Sequence, residues 1–429
     1  MTPAVQTLVI LALMAIFFIT EWIPMAITAI SGAIMLGLLG VIPFKAVYGG
    51  FANGTVIVFA GMFVIGASMF HTGLAQKIGE IVVKLAGKRE SHLMFGLMVI
   101  AIALSSVTSN TGTTAVLMPV ALGICTAARI HPARLLMPVA FAASLGGMIT
   151  LVGTPPNIIA SNALKLAGLR PFGFFEFAFI GIPLSLAGLA YMLFIGRHLL
   201  PQWSFETAAI ERHADVQENS PLSYKMLISG AILLLVIALM ALDLKALPLE
   251  VVSTIGAIAC ILTGCLTERQ AYKSIDWVTI FLFAGMLATA EAMDRSGAAR
   301  MIANWAVVCM GGNPSPVLML AVLFLWTVML TQFMPNTACA ALLAPIGLSL
   351  AKNLGVNPQA VLMAITVAAS CAFATPVGTP PNTLVLGPGQ YRFIDFVKVG
   401  AGLVVVCFIV SLLVIPWVWP LTVNGIGAR

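Results

Sequence analysis

The pentapeptide GTPPN occurs twice in this chain, at Gly153–Asn157 and Gly378–Asn382, an offset of 225 residues. Other matches hold that register. FAGM at Phe59–Met62 returns at Phe283–Met286 and Gly73-Leu74-Ala75 returns as Gly297-Ala298-Ala299, both at 224; Asn110-Thr111 returns as Asn336-Thr337 and Pro119 as Pro345, both at 226. Matches so close to one offset over some three hundred residues identify a duplication, so any fold must be built twice from one plan.

The medium of that fold follows from composition. Of 429 residues 60% are hydrophobic and 8% charged, and apolar runs of 16 to 20 residues recur, each long enough to cross a bilayer as a helix. A multi-pass protein of the cell membrane is expected. Full spans are predicted near Val5–Trp22, Met25–Val41, Thr55–Phe70, Leu135–Val152 and Phe177–Leu200, and again at Met226–Leu242, Pro248–Cys265, Trp277–Met293, Pro358–Thr375 and Phe396–Trp419. Two longer apolar stretches, Leu93–Thr126 and Val317–Leu350, are each interrupted near the centre by small polar residues, the first reading VTSNTGTTAVLMP from Val107 to Pro119. The one extended hydrophilic segment, Pro201–Ser223, separates a first half (1–200) from a second (225–429). The first half holds scaffold helices at 5–70, a hairpin at 93–126, a broken helix at 135–166 and a helix at 177–200. The second holds scaffold helices at 226–293, a hairpin at 317–350, a broken helix at 358–386 and a helix at 396–419.

Five crossings plus one re-entrant hairpin per half is an odd count, so the halves must be inverted in the membrane. Of 21 lysines and arginines, 13 fall on the linker side, which makes that side cytoplasmic and places both termini outside. The first apolar run starts after Met1-Thr2-Pro3 with no basic leader, so no cleaved signal is expected.

Non-helical backbone at membrane depth is tolerated only where protein buries it or a wet cavity receives it. Four such breaks predict a cavity. In SNTGTT the hydroxyls can cap the following half-helix; in GTPPN, Gly would end one half-helix, Thr154 or Thr379 would cap the next, and the prolines suit its first turn. Helix N-termini favour anions and freed carbonyls favour cations, so both are expected together.

No Asp or Glu occurs between Ser91 and Phe175 or between Asn313 and Tyr391, and His71, His92, His131, His198 and His213 all lie at loops or span edges. A proton relay in the site is therefore disfavoured, and neutral oxygens suit a hard alkali cation such as sodium. The seven cysteines lack CxxC spacing and read as packing residues, not a metal cluster. There is no nucleophile–base pair or HExxH motif, which argues against an enzyme, and no cofactor is expected. The net charge of +6 reads as topology with no nucleic-acid partner. Gly66, Gly73 and Gly96 read as close-packing residues, Glu291 and Asp294 beside Arg295 as an interfacial ion pair, and Leu74–Lys88 and Ala298–Met310 as amphipathic arms on the surface.

Paired Ser-Asn-Thr-type hairpin tips, each followed by a Gly-Thr-Pro motif in a broken helix, resemble the divalent anion:sodium symporter family of the ion transporter superfamily. The resemblance spans nearly the whole chain. It implies an all-α elevator-type transporter, a homodimer in the bilayer, with sodium as the coupling ion. One sodium site is implied near Ser105, Ser109, Asn110 and Gly153, and a second near Thr331, the Met334 carbonyl, Asn336 and Gly378. Substrate contacts are implied at Asn110, Thr111, Thr154 and Pro155 and at Asn336, Thr337, Thr379 and Pro380. The implied activity is symport of a small divalent anion, a C4-dicarboxylate such as succinate, malate or fumarate first. Sulfate or another oxyanion, dicarboxylate exchange, and more remotely arsenite export or sodium/proton antiport remain alternatives. The chain departs from the pattern at Pro335, which stands where the first tip has Ser109, and in its ten spans where many members have an additional N-terminal helix.

Overall fold

The computed structural model describes residues 2–20, 22–74, 77, 89–201, 224–242, 247–309, 314–376 and 378–421, and these are helical with no strand among them. The expected linker, the first amphipathic arm and His213 lie almost wholly outside the described residues. The first half contains α1 (Pro3–Thr20), α2 (Met25–Leu38), α3 (Phe44–Gly49), α4 (Gly54–His71), α5 (Glu90–Ser105), α6 (Asn110–Ala128), α7 (Leu136–Gly146), α8 (Pro155–Leu166) and α9 (Ala178–Leu199). The second runs α10 (Tyr224–Ala241), α11 (Leu249–Leu262), α12 (Glu268–Ser274), α13 (Trp277–Ser296), α14 (Ala298–Cys309), α15 (Pro316–Thr331), α16 (Asn336–Leu354), α17 (Pro358–Ala369), α18 (Pro380–Leu386) and α19 (Phe393–Val418). Among the described residues, six helices are long and apolar enough to span a bilayer alone; the other apolar helices are shorter and include scaffold helices α1, α2 and α11 as well as arms of the hairpins and broken helices.

Helix starts follow local chemistry. Ser315 Oγ accepts from the Leu318 amide ahead of Pro316, and Asn357 Oδ1 accepts from the Gln359 amide ahead of Pro358, so each cap is paired with a proline at the first helical position.

The halves interlock. Helix α2 packs along α13 and α4 along α11. A Cβ on Gly285 would lie 2.7 Å from the Ala29 backbone, and one on Gly61 would lie 2.8 Å from that of Ser253. These are the glycines of the two FAGM motifs, and their partners are also 224 residues apart, so the repeated letters encode one helix crossing made twice. Gly73 has a different role from the close packing expected of it. With Gly297 it takes a left-handed backbone, φ +81° and +78°, where α4 and α13 end.

The remaining helices form the site-bearing body. α5 packs on α7 and α15 on α17, while α8 lies against α16 and α17, and α18 against α6 and α7. The halves are stitched at Tyr391, whose hydroxyl donates to the Ala133 carbonyl (2.7 Å) and accepts from the Met137 amide (2.8 Å), and at Phe141, which meets the Phe373 ring edge-on at 5.2 Å. The cysteines Cys125, Cys260, Cys265, Cys339, Cys371 and Cys407 are buried and free, and Arg295 pairs with Glu291 at 2.8 Å.

One boundary differs from expectation. Helices α7 and α17 stop at Gly146 and Ala369, six residues or so before the predicted span ends, and irregular backbone follows up to Thr154 and Thr379. The residues after Gly146 include Met148, Ile149 and Leu151, so hydropathy continues through a stretch in which the helix does not.

Candidate functional site

Each hairpin tip is a four-residue turn between two helices. In the first, Ser109 adopts an extended backbone and its Oγ accepts from the Gly112 amide at 3.1 Å, the cap expected from the sequence. Thr108 Oγ1 donates to the Leu104 carbonyl and lies 2.8 Å from Thr113 Oγ1, fixing the turn from inside. In the second tip Pro335 holds the cap position at φ −59° and ψ 145° and supplies no side-chain cap to α16.

The broken helices are organised by the last residue of GTPPN. Asn157 Nδ2 donates to the carbonyls of Gly147 (3.1 Å) and Thr150 (2.7 Å), and Asn382 Nδ2 to those of Ala372 (2.8 Å) and Thr375 (2.9 Å). Both asparagines are buried. Each folds the irregular turn back over the half-helix that follows it, satisfying carbonyls that lipid could not. Thr154 and Thr379 occupy the cap positions, but neither side chain caps its helix. The expectation failed because two prolines remove the first two donors of the turn, and the third, the Asn157 or Asn382 amide, is taken by the Thr154 or Thr379 carbonyl (3.2 and 3.1 Å). Both threonines line the cavity instead.

Where tip and turn meet, oxygens converge. The Asn110 carboxamide presents one end to Ser105 Oγ at 2.8 Å, the Gly153 carbonyl at 3.2 Å and the Ala143 carbonyl at 3.3 Å. Asn336 presents one end to Thr331 Oγ1 at 3.0 Å, the Ala369 carbonyl at 3.0 Å and the Gly378 carbonyl at 3.3 Å. Two arrangements suit such a set: the amide nitrogen shares its two hydrogens among the three oxygens, or the amide oxygen joins them as a fourth ligand of a hard cation. The clusters correspond residue for residue at offsets of 225 and 226. Ser105, Asn110 and Gly153 of the first implied cation set, and Thr331, Asn336 and Gly378 of the second, are thus brought together. Ser109 is used as the cap, and Met334 is buried at its tip without being one of the three oxygens facing Asn336.

Both tips and both turns open onto one cavity of about 600 Å³. All eight implied substrate residues line it: Asn110, Thr111, Thr154 and Pro155 from the first half, Asn336, Thr337, Thr379 and Pro380 from the second. Scaffold side chains close the opposite wall, including Phe59, Met62 and Phe63 of α4 and Leu282 of α13. Of all the lining residues only Asp276 is ionisable, and its carboxylate is taken up by the Thr279 amide (3.2 Å) and hydroxyl (2.6 Å) at the start of α13. The wall is otherwise uncharged and largely apolar, with hydroxyls, amides and helix N-termini gathered on the side of the tips and turns. Sequence reasoning missed the Ala143 and Ala369 carbonyls, the Asn157 and Asn382 clamps, and the place of Phe59 and Met62 in the cavity wall. The clamps were signalled by identical letters at matching offsets; the carbonyls carry no signal at all.

Paired interrupted helices lining one cavity inside an interlocked all-helical body are the architecture of a membrane transporter. The comparisons agree. A citrate transporter family model (CitMHS) matches residues 15–346 and 292–425. An uncharacterised transporter of Haemophilus influenzae is 31% identical over 94% of this chain and 89% of that one, and the sodium-dependent dicarboxylate transporter SdcS of Staphylococcus aureus is 27% identical over 98% and 87%. The fold is shared with the YdaH transporter of Alcanivorax borkumensis (TM-score 0.62, 16% identity, 86% of each chain). It is also shared with MtrF of Neisseria gonorrhoeae (TM-score 0.64, 16% identity, 100% of this chain and 97% of that one). The chain belongs to the citrate transporter family, of the divalent anion:sodium symporter type within the ion transporter superfamily, and is a multi-pass protein of the plasma membrane.

Proposed function

We propose that this transporter is a sodium-coupled symporter of small divalent anions, C4-dicarboxylates such as succinate, malate or fumarate first. The observation that carries this reading is the pair of four-oxygen clusters flanking one neutral cavity. Sodium ions at Ser105, Asn110, Ala143 and Gly153 and at Thr331, Asn336, Ala369 and Gly378 would supply the positive charge that the walls lack. The two carboxylates would meet the Asn110-Thr111 and Asn336-Thr337 helix starts and the Thr154 and Thr379 hydroxyls. A cavity of about 600 Å³ has room for a four-carbon diacid, and the likeness to SdcS supports that class over a tetrahedral oxyanion.

The reading includes the division into inverted halves, 1–200 and 225–429, a homodimer, and an elevator-type movement of hairpins and broken helices against the α1–α4 and α10–α13 scaffold. The cavity reaches the first turn of α13, while on α4 it touches only residues beyond the corresponding turn, where Thr55 Oγ1 instead donates to Asn162 Oδ1 of α8 at 3.2 Å. Access from one side only is what one end state of such a movement requires.

Uptake of labelled succinate and labelled sulfate into proteoliposomes, with and without an inward sodium gradient, tests the reading. Gradient-driven accumulation of succinate is expected; equal uptake under both conditions would replace symport with exchange. Asn110→Ala and Asn336→Ala are expected to lower sodium affinity and uptake together, because each removes one ligand of the ion that neutralises the substrate.

A further inference from the structure

The two oxygen clusters match in composition but not in how they are held. In the first half the turn after α7 is tied to the hairpin tip by the Thr150 hydroxyl, which donates to the Ser106 carbonyl. The Ser106 hydroxyl turns back onto its own helix, donating to the Ala103 carbonyl at 2.7 Å. Its counterpart at the 226 offset is Gln332, a buried side chain of twice the reach. Gln332 Nε2 donates to the Cys371 carbonyl (3.1 Å) and to the Val328 carbonyl (3.0 Å), and its Oε1 accepts from the Ala374 amide (3.0 Å). The Gln332 carbonyl accepts from Thr375 Oγ1 at 2.6 Å, and Thr331 Oγ1 donates to the Ala369 carbonyl at 2.7 Å. The second tip is therefore sewn to its broken helix at residues 369, 371, 374 and 375, whereas among the described residues the first tip, beyond the asparagine contacts that both halves share, has the Thr150 hydroxyl alone in that role. Pro335 adds to this, because its fixed φ removes freedom from the turn that Ser109 must hold by a hydrogen bond.

We propose that Gln332 is a positioning residue that makes the Thr331–Asn336–Ala369–Gly378 cluster the tighter cation site, filled first and without substrate. The Ser105–Asn110–Ala143–Gly153 cluster gathers its ion later, when ion and anion draw the first tip and turn together. This rests on the reading that both clusters bind sodium. The physical reason is preorganisation: ligands fixed before binding cost no ordering entropy when the ion arrives.

The test is equilibrium binding of ²²Na⁺ to purified protein in the absence of any dicarboxylate, alongside sodium titration of succinate uptake. Wild type is expected to show one tight binding phase. Gln332→Met, which keeps side-chain length and removes three hydrogen bonds, should weaken that phase about 5- to 20-fold. It should also raise half-saturating sodium for uptake while the rate at saturating sodium is largely kept. Thr331→Val should abolish the tight phase, and Ser105→Ala should retain it. A Gln332→Met protein with normal sodium affinity and a reduced rate at every sodium concentration would make the residue merely structural. Loss of the tight phase in Ser105→Ala with retention in Thr331→Val would invert the order of filling. Wild-type uptake that ignores sodium would instead overturn the symport reading itself, a result distinct from either.

Discussion

Gly147 is the residue on which the first cation cluster can be tested with least disturbance elsewhere. Its backbone is ordinary right-handed, φ −58° and ψ −21°, so alanine meets no torsional penalty there. A Cβ would, however, lie 2.3 Å from Asn110 Oδ1 and 3.0 Å from the rest of that amide. Gly147→Ala must push the carboxamide away by roughly an ångström, because such contacts are not tolerated in packed interiors. Ser105 Oγ, at 2.8 Å, and the Gly153 carbonyl, at 3.2 Å, are backed by helix and turn and cannot follow. One ligand to a charged guest is lost, a charge-assisted contact of about 1.5–3 kcal/mol, so affinity at this site falls about 10- to 150-fold. With two sodium ions bound per cycle, half-saturation varies as the geometric mean of the two affinities and should rise about 3- to 12-fold. The position at the same register in the second half is Ala372, so a methyl group at this point of the turn is compatible with the fold. The assay is sodium titration of succinate uptake in proteoliposomes. An unshifted sodium dependence in a folded Gly147→Ala protein would refute the assignment of Asn110 to a cation.

Thr154→Val and Thr379→Val should lower succinate uptake about 2- to 10-fold and change the succinate-to-sulfate ratio, leaving helix starts intact because neither hydroxyl caps its helix. Gly400→Ala should cost about 1–3 kcal/mol in thermal unfolding in detergent, since its Cβ would fall 2.0 Å from the Phe373 carbonyl oxygen. Gly387→Ala, with open space around the new methyl group, is the matched control, and equal melting of the two would be contrary to the packing argument. His131 accepts from the Ala133 amide through Nδ1, and burial holds its imidazole below the usual value of 6.5 against the opposing pull of its hydrogen bond to Gln390. A lowered folded-state pKa stabilises the protein above the unfolded value and loses that contribution as pH falls through it. The melting temperature of wild type should therefore drop more between neutral pH and mildly acidic pH than that of His131→Asn, whose amide oxygen can keep the cap.

The span pattern, the four interruptions and the residues gathered at the cavity were legible in the letters because lipid permits so few solutions. A polar break in an apolar run must be buried against something, and two copies of one break must be buried in related places. What the letters hid was of three kinds. Carbonyl ligands such as those of Ala143 and Ala369 belong to the backbone, so an alanine that supplies one looks like any other. The helix end at Gly146 was masked because Met148, Ile149 and Leu151 continue the apolar pattern after the helical ladder has given way to tighter turns. Gln332 escaped because a repeat is found through identities, and its importance lies in differing from Ser106. The failed Thr caps were in principle foreseeable, since Pro-Pro leaves a helix start with almost nothing to cap.

The scarcity of ionisable groups around the cavity gives coupling a physical origin on the symport reading. A dianion alone in a neutral, partly dehydrated chamber pays a desolvation cost of several kcal/mol per charge, and so does each sodium ion alone. Two ions in the two clusters with one dianion between them carry no net charge. The assembled complex is therefore the loaded form least opposed by the low dielectric of the membrane, while each partly loaded form carries an uncompensated charge through it. Two fixed arginines would neutralise the dianion equally well, but they would leave the empty carrier charged and make binding independent of sodium. Backbone and amide oxygens avoid both consequences, because they are polar enough to hold an ion and neutral when they do not.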